Sequence, residues 1–343
     1  MAAGDGMNGV PEAGGFTPPD PRGVFQSERR HIRQMTLPEV GEEGQARLRG
    51  ASVLVVGAGG LGSPAIMYLA GAGVGALTVV DPDVAETGNL HRQPIHAGRV
   101  GWNKAESARA FVQALDPGVS VTALPRPLTP ANAAGLVARA DVVLDCADSF
   151  AASYVLSDAC LAAVVPLVSA SALGLSGYCG GFCAGAPSLR AVFPDLPDRA
   201  ANCATAGVLG PVVGMLGTAQ AQMALALLMG LEPSPLGQLL TLNPGLRWSG
   251  FRFDGAPEPE GGFRFIDAGE IRPGDFVLEL RGTDEAPVPI HPSALRADPA
   301  APPPPPHGTR AVLACRSGLR AWRAARLLAP THPEIVLIAA GDH

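Results

Sequence analysis

From residue 51 onward, short apolar runs alternate with longer stretches that have helical periodicity. The pattern predicts strands at 53–56, 76–80, 119–123 and 141–145, and helices near 62–71, 103–114 and 130–138. Strands that alternate with helices of this length are typical of βαβ units and a parallel sheet. The pattern therefore predicts an α/β fold with a doubly wound, Rossmann-like sheet.

The same reading extends to both sides of this region. Residues 1–27 have the composition of a disordered tail, and a charged helix is predicted at about 27–45. After the predicted sheet come an apolar run at 164–169, a Gly-rich strand pair near 174–184 and a long loop at 187–202. The apolar segment 208–231 is long enough to cross a membrane, but Gln220 and Gln222 favour a buried helix, so no membrane partner is expected.

A composition shift at 254–262 predicts a linker between two units. The first unit would then span 28–253. The second, 263–343, has predicted strands at 276–280, 312–314 and 335–338, a proline run at 302–306 and a helix at about 319–328. This predicts a smaller α/β domain at the C-terminal end.

Composition narrows the classes of partner and compartment. The net charge is −6 and no basic block is present, so nucleic acid is not an expected partner. The six cysteines lack regular spacing, which favours reduced thiols over a disulfide framework. With no secretory signal visible at the N-terminus, a cytoplasmic location is expected.

A glycine-rich turn follows the first predicted strand. Gly57, Gly59 and Gly62 fit G-x-G-x-x-G, and with Gly60 they would let backbone N–H groups and a helix N-terminus approach phosphates. Asp81 ends the next apolar run, where a carboxylate can accept hydrogen bonds from a ribose. These residues alone indicate an adenine nucleotide, and an NAD-dependent oxidoreductase would fit them equally.

A polar cluster beyond this turn points to different chemistry. It comprises Gly88, Asn89, Leu90, His91 and Arg92, together with Lys104 further along the chain. A dinucleotide does not need this cluster. Arg92 and Lys104 would place two positive charges near the phosphates, where they could stabilise the negative charge that develops during reaction at a phosphorus atom.

The second unit contains a thiol in a favourable setting for nucleophilic chemistry. Cys315 begins the sequence CRSGLR, a loop that opens onto a predicted helix N-terminus and carries two arginines. Positive charge of this kind favours the thiolate, the nucleophilic form of cysteine.

Six motifs occur in order along the chain: RQ at 33–34, GAGGLGS at 57–63, NLHRQ at 89–93, KAESA at 104–108, DCAD at 145–148 and CATAGVLGP at 203–211. Together they resemble the ThiF/MoeB/HesA family, bacterial relatives of ubiquitin-activating enzymes, and most closely a molybdopterin-synthase or sulfur-carrier adenylyltransferase. The tail resembles a rhodanese through its CRSGLR loop. The resemblance implies ATP- and magnesium-dependent adenylation of a small ubiquitin-like sulfur carrier ending in GlyGly, in molybdopterin or thiamine synthesis.

The resemblance also implies residue roles. Asp81 would bind the ribose, and Asn89, Arg92 and Lys104 the triphosphate. Asp148 would lie near magnesium and the α-phosphate, with Ser149 standing where the family usually has Asn. Arg33 would enter the ATP site of the second subunit of a homodimer. Cys203 occupies the family's reactive-cysteine position, which forms a covalent link to the carrier in some relatives and is dispensable in others. Cys315 would carry a persulfide supplied by a cysteine desulfurase, and which of the two cysteines handles sulfur stays open.

Departures from the family pattern leave alternatives open. The two CxxC pairs that often hold a structural zinc are missing, so zinc is predicted to be absent. The segment LELRGTD at 278–284 and the short proline-rich passage after it differ from the usual rhodanese sequence before the active loop. A catalytically decayed scaffold therefore stands beside the adenylyltransferase and the oxidoreductase as an interpretation.

Overall fold

The computed structural model of the chain describes residues 30–196 and 207–341. The first unit is built on an eight-stranded sheet with the spatial order β3-β2-β1-β4-β5-β6-β7-β8. Its strands are β1 (Ser52–Val56), β2 (Ala76–Val80), β3 (Ser120–Leu124), β4 (Val142–Asp145), β5 (Leu167–Leu173), β6 (Ser176–Phe182), β7 (Gln238–Asn243) and β8 (Arg247–Arg252).

The first five strands are parallel, as the alternation of strands and helices predicted. Helices cover both faces of this half and complete the doubly wound architecture: α3 (Gly62–Gly71), α4 (Lys104–Leu115), α5 (Pro130–Val137), α6 (Phe150–Ala163) and α8 (Gly210–Met229). Separate hydrophobic clusters lie on the two sides of the sheet, one with α3, α4 and α8 and the other with α5 and α6. The predicted fold class is confirmed.

The last three strands are antiparallel and were only partly predicted. The predicted strand pair near 174–184 is in fact a hairpin between β5 and β6, so one of its strands belongs to the parallel half. Strands β7 and β8 were missed. Every residue of β8 is exposed, so this edge strand lacks the apolar alternation that marks a half-buried strand.

One helix of the described residues, α8, is long and apolar enough to span a membrane by length and composition. It packs in the core against α3 and the sheet, as the sequence predicted. Its buried Gln220 donates from Nε2 to the carbonyl oxygens of Asp145 (2.7 Å) and Val168 (3.1 Å). The polar side chain that argued against a membrane span thus joins the helix to two strands.

The single charged helix predicted at 27–45 is wrong. The structure has two helices, α1 (Ile32–Met35) and α2 (Gly41–Gly50). Pro38 lies between them, and a proline cannot supply the N–H that would continue a helix. The predicted tail at 1–27 lies outside the described residues.

A second sheet follows in the second unit. Its five parallel strands have the order β11-β10-β12-β13-β9. They are β9 (Arg264–Phe265), β10 (Phe276–Glu279), β11 (Leu295–Arg296), β12 (Ala311–Cys315) and β13 (Ile335–Ala339), with helix α9 (Leu319–Leu328) after β12. A short helix α7 (Leu189–Val192) lies in the first unit near the join.

Candidate functional site

The candidate site lies where the order of the parallel strands reverses. Strand β1 pairs with β2 on one side and with β4 on the other. The chain therefore runs from β1 through β2 to β3 on one side of β1, and then returns to place β4 and β5 on the other side. In open α/β sheets, ligands bind in the crevice at the carboxyl ends of the strands at such a switch point. The glycine turn follows β1 there, Asp81 follows β2, and Asp145 ends β4.

Two glycines of the turn are required by the fold itself. Gly57 has φ +95°, and a Cβ there would lie 2.5 Å from the carbonyl oxygen of Cys146. A Cβ on Gly62 would lie 2.0 Å from the carbonyl oxygen of Gly57. These contacts let α3 start directly against β1 and β4.

Of the other two glycines, Gly59 has open space beside its Cα, whereas Gly60 packs closely on α8. Within the described part of the chain, a Cβ on Gly59 would meet only Gln93 Nε2, at 3.5 Å. A Cβ on Gly60 would lie 3.1 Å from Val213 Cγ2 on α8 and 3.6 Å from Arg92 Cδ. Among the described residues the N–H groups of Gly59 and Gly60 donate no backbone hydrogen bond, so both are available to a phosphate, and the Arg92 side chain lies beside Gly60.

The Asp81 carboxylate is buried and is already engaged with the backbone. Its Oδ2 accepts from the Ala58 N–H (2.7 Å) and its Oδ1 from the Asp83 N–H (2.9 Å). Burial raises the pKa of Asp81 above its ordinary value. The contact with Ala58 fixes the glycine turn. The predicted bond to a ribose would use the remaining acceptor capacity of these oxygens and stays a prediction.

His96 was missed at the sequence level. It is fully buried, with Nε2 2.7 Å from the Ala58 carbonyl oxygen and Nδ1 2.9 Å from Ser107 Oγ on α4. Burial lowers the pKa of His96, which favours the neutral ring. The imidazole thus joins the glycine turn to α4, and no sequence pattern pointed to it.

Lys104 begins α4 and is held beside the turn. It is 8% exposed, and its Nζ lies 2.8 Å from Asp83 Oδ2. Asn103 caps the helix by accepting from the N–H groups of Ala105 and Glu106, while its Nδ2 donates to the Asp81 and Asp83 carbonyl oxygens. An Asn three residues before Glu106 is a recognisable N-cap signal that could have identified this anchor.

The segment 88–92 lies between the glycine turn and α8. Arg92 Nη1 is 2.8 Å from His91 Nε2 and 3.4 Å from the Gly88 carbonyl oxygen. Gly210 at the start of α8 touches the same segment, since a Cβ there would be 2.6 Å from the His91 carbonyl oxygen. Of the other predicted residues here, Asn89 accepts from the Glu86 N–H at 3.3 Å, and Leu90 is half-buried.

At the end of β4 the two aspartates of the DCAD motif have opposite environments. Asp145 is fully buried, and burial raises its pKa to about 6 although Ser169 Oγ donates to it at 2.8 Å. Asp148 is exposed, and Ser149 caps α6 by position without a side-chain capping bond among the described residues. Asp148 is thus the carboxylate of the pair that is open to a cation.

Arg33 is exposed on α1, away from the glycine turn of its own chain. The neighbouring His31 packs on Gly73, just beyond the carboxyl end of α3, whereas the glycine turn meets the amino end. A helix of ten residues spans about 15 Å. The structure therefore does not bring Arg33 to the other predicted site residues.

Cys203 lies outside the described residues, and Cys315 lies in the second unit. The Cys315 thiol is fully buried at the end of β12, where Sγ accepts from the Ala321 N–H of α9 at 3.3 Å. Arg320 forms a bidentate ion pair with Glu285 beside this loop. The thiol stands before the helix N-terminus, as the sequence predicted.

The strand beside the thiol strand ends in a buried acidic residue. Glu279 ends β10 next to β12, and its carboxylate forms a buried ion pair with Arg281 (2.8 Å) and accepts from the Ile290 N–H (2.9 Å). These donors lower the pKa of Glu279 against the opposing effect of its burial. The departure of the segment 278–284 from the usual rhodanese sequence stays a prediction.

Five cysteines lie within the described residues, and all are buried free thiols. Burial raises the pKa of Cys183 to about 12 and that of Cys146 well above its ordinary value. Across 30–196 and 207–341, no three His, Cys, Asp or Glu side chains cluster in a way that could hold a metal ion. The absence of zinc remains a prediction.

A glycine turn at a switch point, flanked by a lysine and an arginine, is an arrangement by which α/β proteins receive phosphate groups. A protein-family model described as the ThiF family matches residues 31–258. The chain belongs to the ThiF family, which confirms the resemblance drawn from the motifs.

Curated relatives are identical to this chain at about half of the aligned positions. "Adenylyltransferase and sulfurtransferase UBA4" of Yarrowia lipolytica is 47% identical over 228 residues, covering 64% of this chain and 56% of the relative. "Adenylyltransferase and sulfurtransferase MOCS3" of Bos taurus is 47% identical over 233 residues, covering 66% and 51%. The chain thus spans about half the length of these relatives.

Solved structures share the fold at low sequence identity. E. coli MccB superposes with a TM-score of 0.60 at 19% identity, covering 70% of this chain and 74% of MccB. PaaA superposes with a TM-score of 0.57 at 20% identity, covering 71% and 78%. These likenesses support the α/β architecture alone.

Proposed function

We propose that this protein uses ATP to adenylate the C-terminal glycine of a small ubiquitin-like sulfur carrier, and that Cys315 then supplies sulfur to the adenylate. The names of the UBA4 and MOCS3 relatives, adenylyltransferase and sulfurtransferase, describe both steps. The observation that carries the proposal is the grouping of the open glycine turn, Arg92 and Lys104 at one switch point.

The residues present fit a nucleoside triphosphate. The N–H groups of Gly59 and Gly60 donate no backbone hydrogen bond within the described residues, and they lie at the start of α3, where the helix dipole favours phosphate. Two buried polar atoms beside the turn, Gln93 Oε1 and Ser63 Oγ, have no hydrogen-bond partner among the described residues. Unpaired buried polar atoms are costly, so a ligand that contacts them would be favoured.

Each cation would then act on the phosphates. The carrier carboxylate attacks the α-phosphorus, a P–O bond forms, and pyrophosphate leaves with the electron pair. Arg92 beside Gly60 and Lys104 beside Asp81 would stabilise the negative charge that grows on the phosphate oxygens. Lys104 is nearly buried, so water would screen its charge only weakly.

Asp148 is the residue that would hold magnesium. Magnesium prefers carboxylate oxygens and usually keeps several waters, which suits an exposed carboxylate at the edge of the crevice. When bound, the ion would neutralise charge on the triphosphate. A homodimer would complete the site: Arg33 is exposed and lies beyond the far end of α3 in its own chain, so we place it at the nucleotide site of a second copy.

The second step would need a sulfur donor such as a cysteine desulfurase, which would leave a persulfide on Cys315. Loop N–H groups and the N-terminus of α9 would stabilise the negative terminal sulfur. The pathway, molybdopterin or thiamine, would follow from which carrier is accepted.

ATP–pyrophosphate exchange tests the first step. Purified protein is incubated with ATP, magnesium, labelled pyrophosphate and a ubiquitin-like protein ending in GlyGly, with a carrier lacking the last glycine as the control. Exchange that requires the intact carrier and is lost in Arg92→Ala, but not in the exposed control Arg139→Ala, is expected. ATP binding without exchange would favour a scaffold, and hydride transfer to NAD would favour an oxidoreductase.

A further inference from the structure

The segment that joins the two units is held against the first unit. Residues 254–262 have the composition of a linker, yet the Glu258 carboxylate accepts from both the N–H and the Oγ of Ser188 at 2.6 Å. Ser188 is buried. Residues 254–262 are therefore bound to the first unit and do not form a flexible linker.

Arg190 contacts residues of both units. It forms a bidentate ion pair with Asp158 on α6 (2.6 and 2.9 Å), and Nη2 also donates to the Phe263 carbonyl oxygen at the start of the second unit (3.2 Å). Its guanidinium lies 4.5 Å from the ring centre of Tyr154 on α6 and 5.8 Å from that of Trp322 on α9. One side chain thus contacts both units through charge, hydrogen bonding and aromatic rings.

A single hydrophobic cluster extends across the join. It includes Ala151 and Tyr154 of α6 together with Phe265 and Trp322 of the second unit. Trp322 is 2% exposed, and its ring centre lies 5.5 Å from that of Tyr154. Aromatic pairs at this distance add to the free energy gained by burying their area. The second unit is docked in a fixed place.

Docking brings the thiol loop to the start of α6. Gly318, in the CRSGLR loop, has φ +85°, and a Cβ there would lie 2.7 Å from Phe265 Cε1 and 3.5 Å from Ala151 Cβ. Gly318 is three residues from Cys315, and Ala151 is three residues from Asp148. Three residues span at most about 11 Å, so Cys315 and Asp148 each lie within about 11 Å of this contact along the chain.

We propose that the adenylated carrier tail receives its sulfur from Cys315 of the same polypeptide that adenylated it, with the second unit remaining docked. This rests on the proposed function. The terminal persulfide sulfur attacks the carboxyl carbon of the acyl adenylate, a C–S bond forms, the C–O bond to AMP breaks and AMP leaves with the electron pair. An added thiol then reduces the resulting acyl disulfide, which releases the carrier thiocarboxylate and the Cys315 thiol.

The docked arrangement can be tested without any carrier. In the full chain with Trp102→Phe and Trp248→Phe, Trp322 is the sole tryptophan, and the two removed are exposed. Acrylamide should quench Trp322 several-fold less than it quenches Trp248 in the Trp102→Phe, Trp322→Phe chain. Arg190→Ala should raise the quenching of Trp322, and Arg139→Ala should not. Quenching of Trp322 as strong as that of Trp248 would overturn the proposal.

Mixed dimers test the transfer itself. Chains with Arg92→Ala and Cys315→Ala are co-expressed under different tags, and mixed dimers are given ATP, thiosulfate as sulfur source, dithiothreitol and a GlyGly carrier that supports exchange on the wild type. The amount of carrier thiocarboxylate formed by these mixed dimers should not exceed the amount formed by either variant alone. Mixed dimers of Arg33→Ala and Arg92→Ala are the positive control, since one chain keeps a complete site.

Recovery of thiocarboxylate in the Arg92→Ala and Cys315→Ala mixture would show transfer between chains and overturn the proposal. If the wild type supports no exchange with any GlyGly carrier, the proposed function fails instead, and the quenching measurement still decides whether the second unit is docked. The two failures are therefore distinguishable.

Discussion

The three motif glycines should respond differently to the same change, because the structure gives each a different neighbour. Gly62→Ala would place a Cβ 2.0 Å from the Gly57 carbonyl oxygen, and Gly57→Ala would place one 2.5 Å from the Cys146 carbonyl oxygen at φ +95°. Gly59→Ala meets only a side-chain nitrogen at 3.5 Å within the described residues. The first two changes should damage the fold, and the third should damage nucleotide binding.

The magnitudes follow from these contacts. Overpacking costs about 1–3 kcal/mol, and a left-handed backbone adds about 1–2 kcal/mol for a residue with a Cβ. We therefore expect Gly57→Ala to lower the free energy of unfolding by roughly 3 kcal/mol. Gly62→Ala should cost at least as much, since backbone must shift. For Gly59→Ala the change should stay within about 0.5 kcal/mol, the usual range away from such features.

Thermal unfolding and calorimetry separate the two effects. For a domain of this size, 1 kcal/mol shifts Tm by about 2–4 °C. Gly59→Ala should keep the wild-type Tm without ligand but bind ATP at least about tenfold more weakly, a loss of about 1.4 kcal/mol. Wild-type ATP affinity in Gly59→Ala, or a fall in its Tm equal to that of Gly62→Ala, would refute the assignment of roles.

Three further predictions test other residues. Because burial raises the pKa of Asp145 to about 6, the folded state binds more protons than the unfolded chain between about pH 4 and 6, so the free energy of unfolding should fall as pH rises there. Asp145→Asn should remove this pH dependence, which changes the free energy of unfolding by roughly 3 kcal/mol in the wild type. If urea denaturation gave the same pH dependence for the wild type and for Asp145→Asn, this explanation would be wrong. Arg92→Ala should abolish pyrophosphate exchange, whereas Cys315→Ala should abolish only thiocarboxylate formation; loss of exchange in both would argue against separate steps. Arg33→Ala should lower exchange at least tenfold, about 1.4 kcal/mol, and regain it in dimers mixed with Arg92→Ala; activity unchanged in Arg33→Ala alone would remove the case for a shared site.

Much of the fold was predictable because the parallel strands are buried and locally patterned. Strands β1, β2 and β4 lie close to their predicted positions, since apolar runs followed by helical periodicity mark βαβ units. Strand β8 was not predictable. It is an exposed edge strand held by pairing with β7, and pairing partners are not written in the local sequence.

The sequence by itself determined the nucleotide turn, the polar cluster and the thiol loop, because each is a short motif with fixed spacing. Tertiary structure decided which glycine serves the fold and which leaves space for a phosphate, since contacts from Cys146 and Gln93 come from distant segments. It also decided that His96 joins the turn to α4 and that Arg190 docks the second unit. Such roles depend on burial and on which segments meet, and only the folded chain brings those segments together.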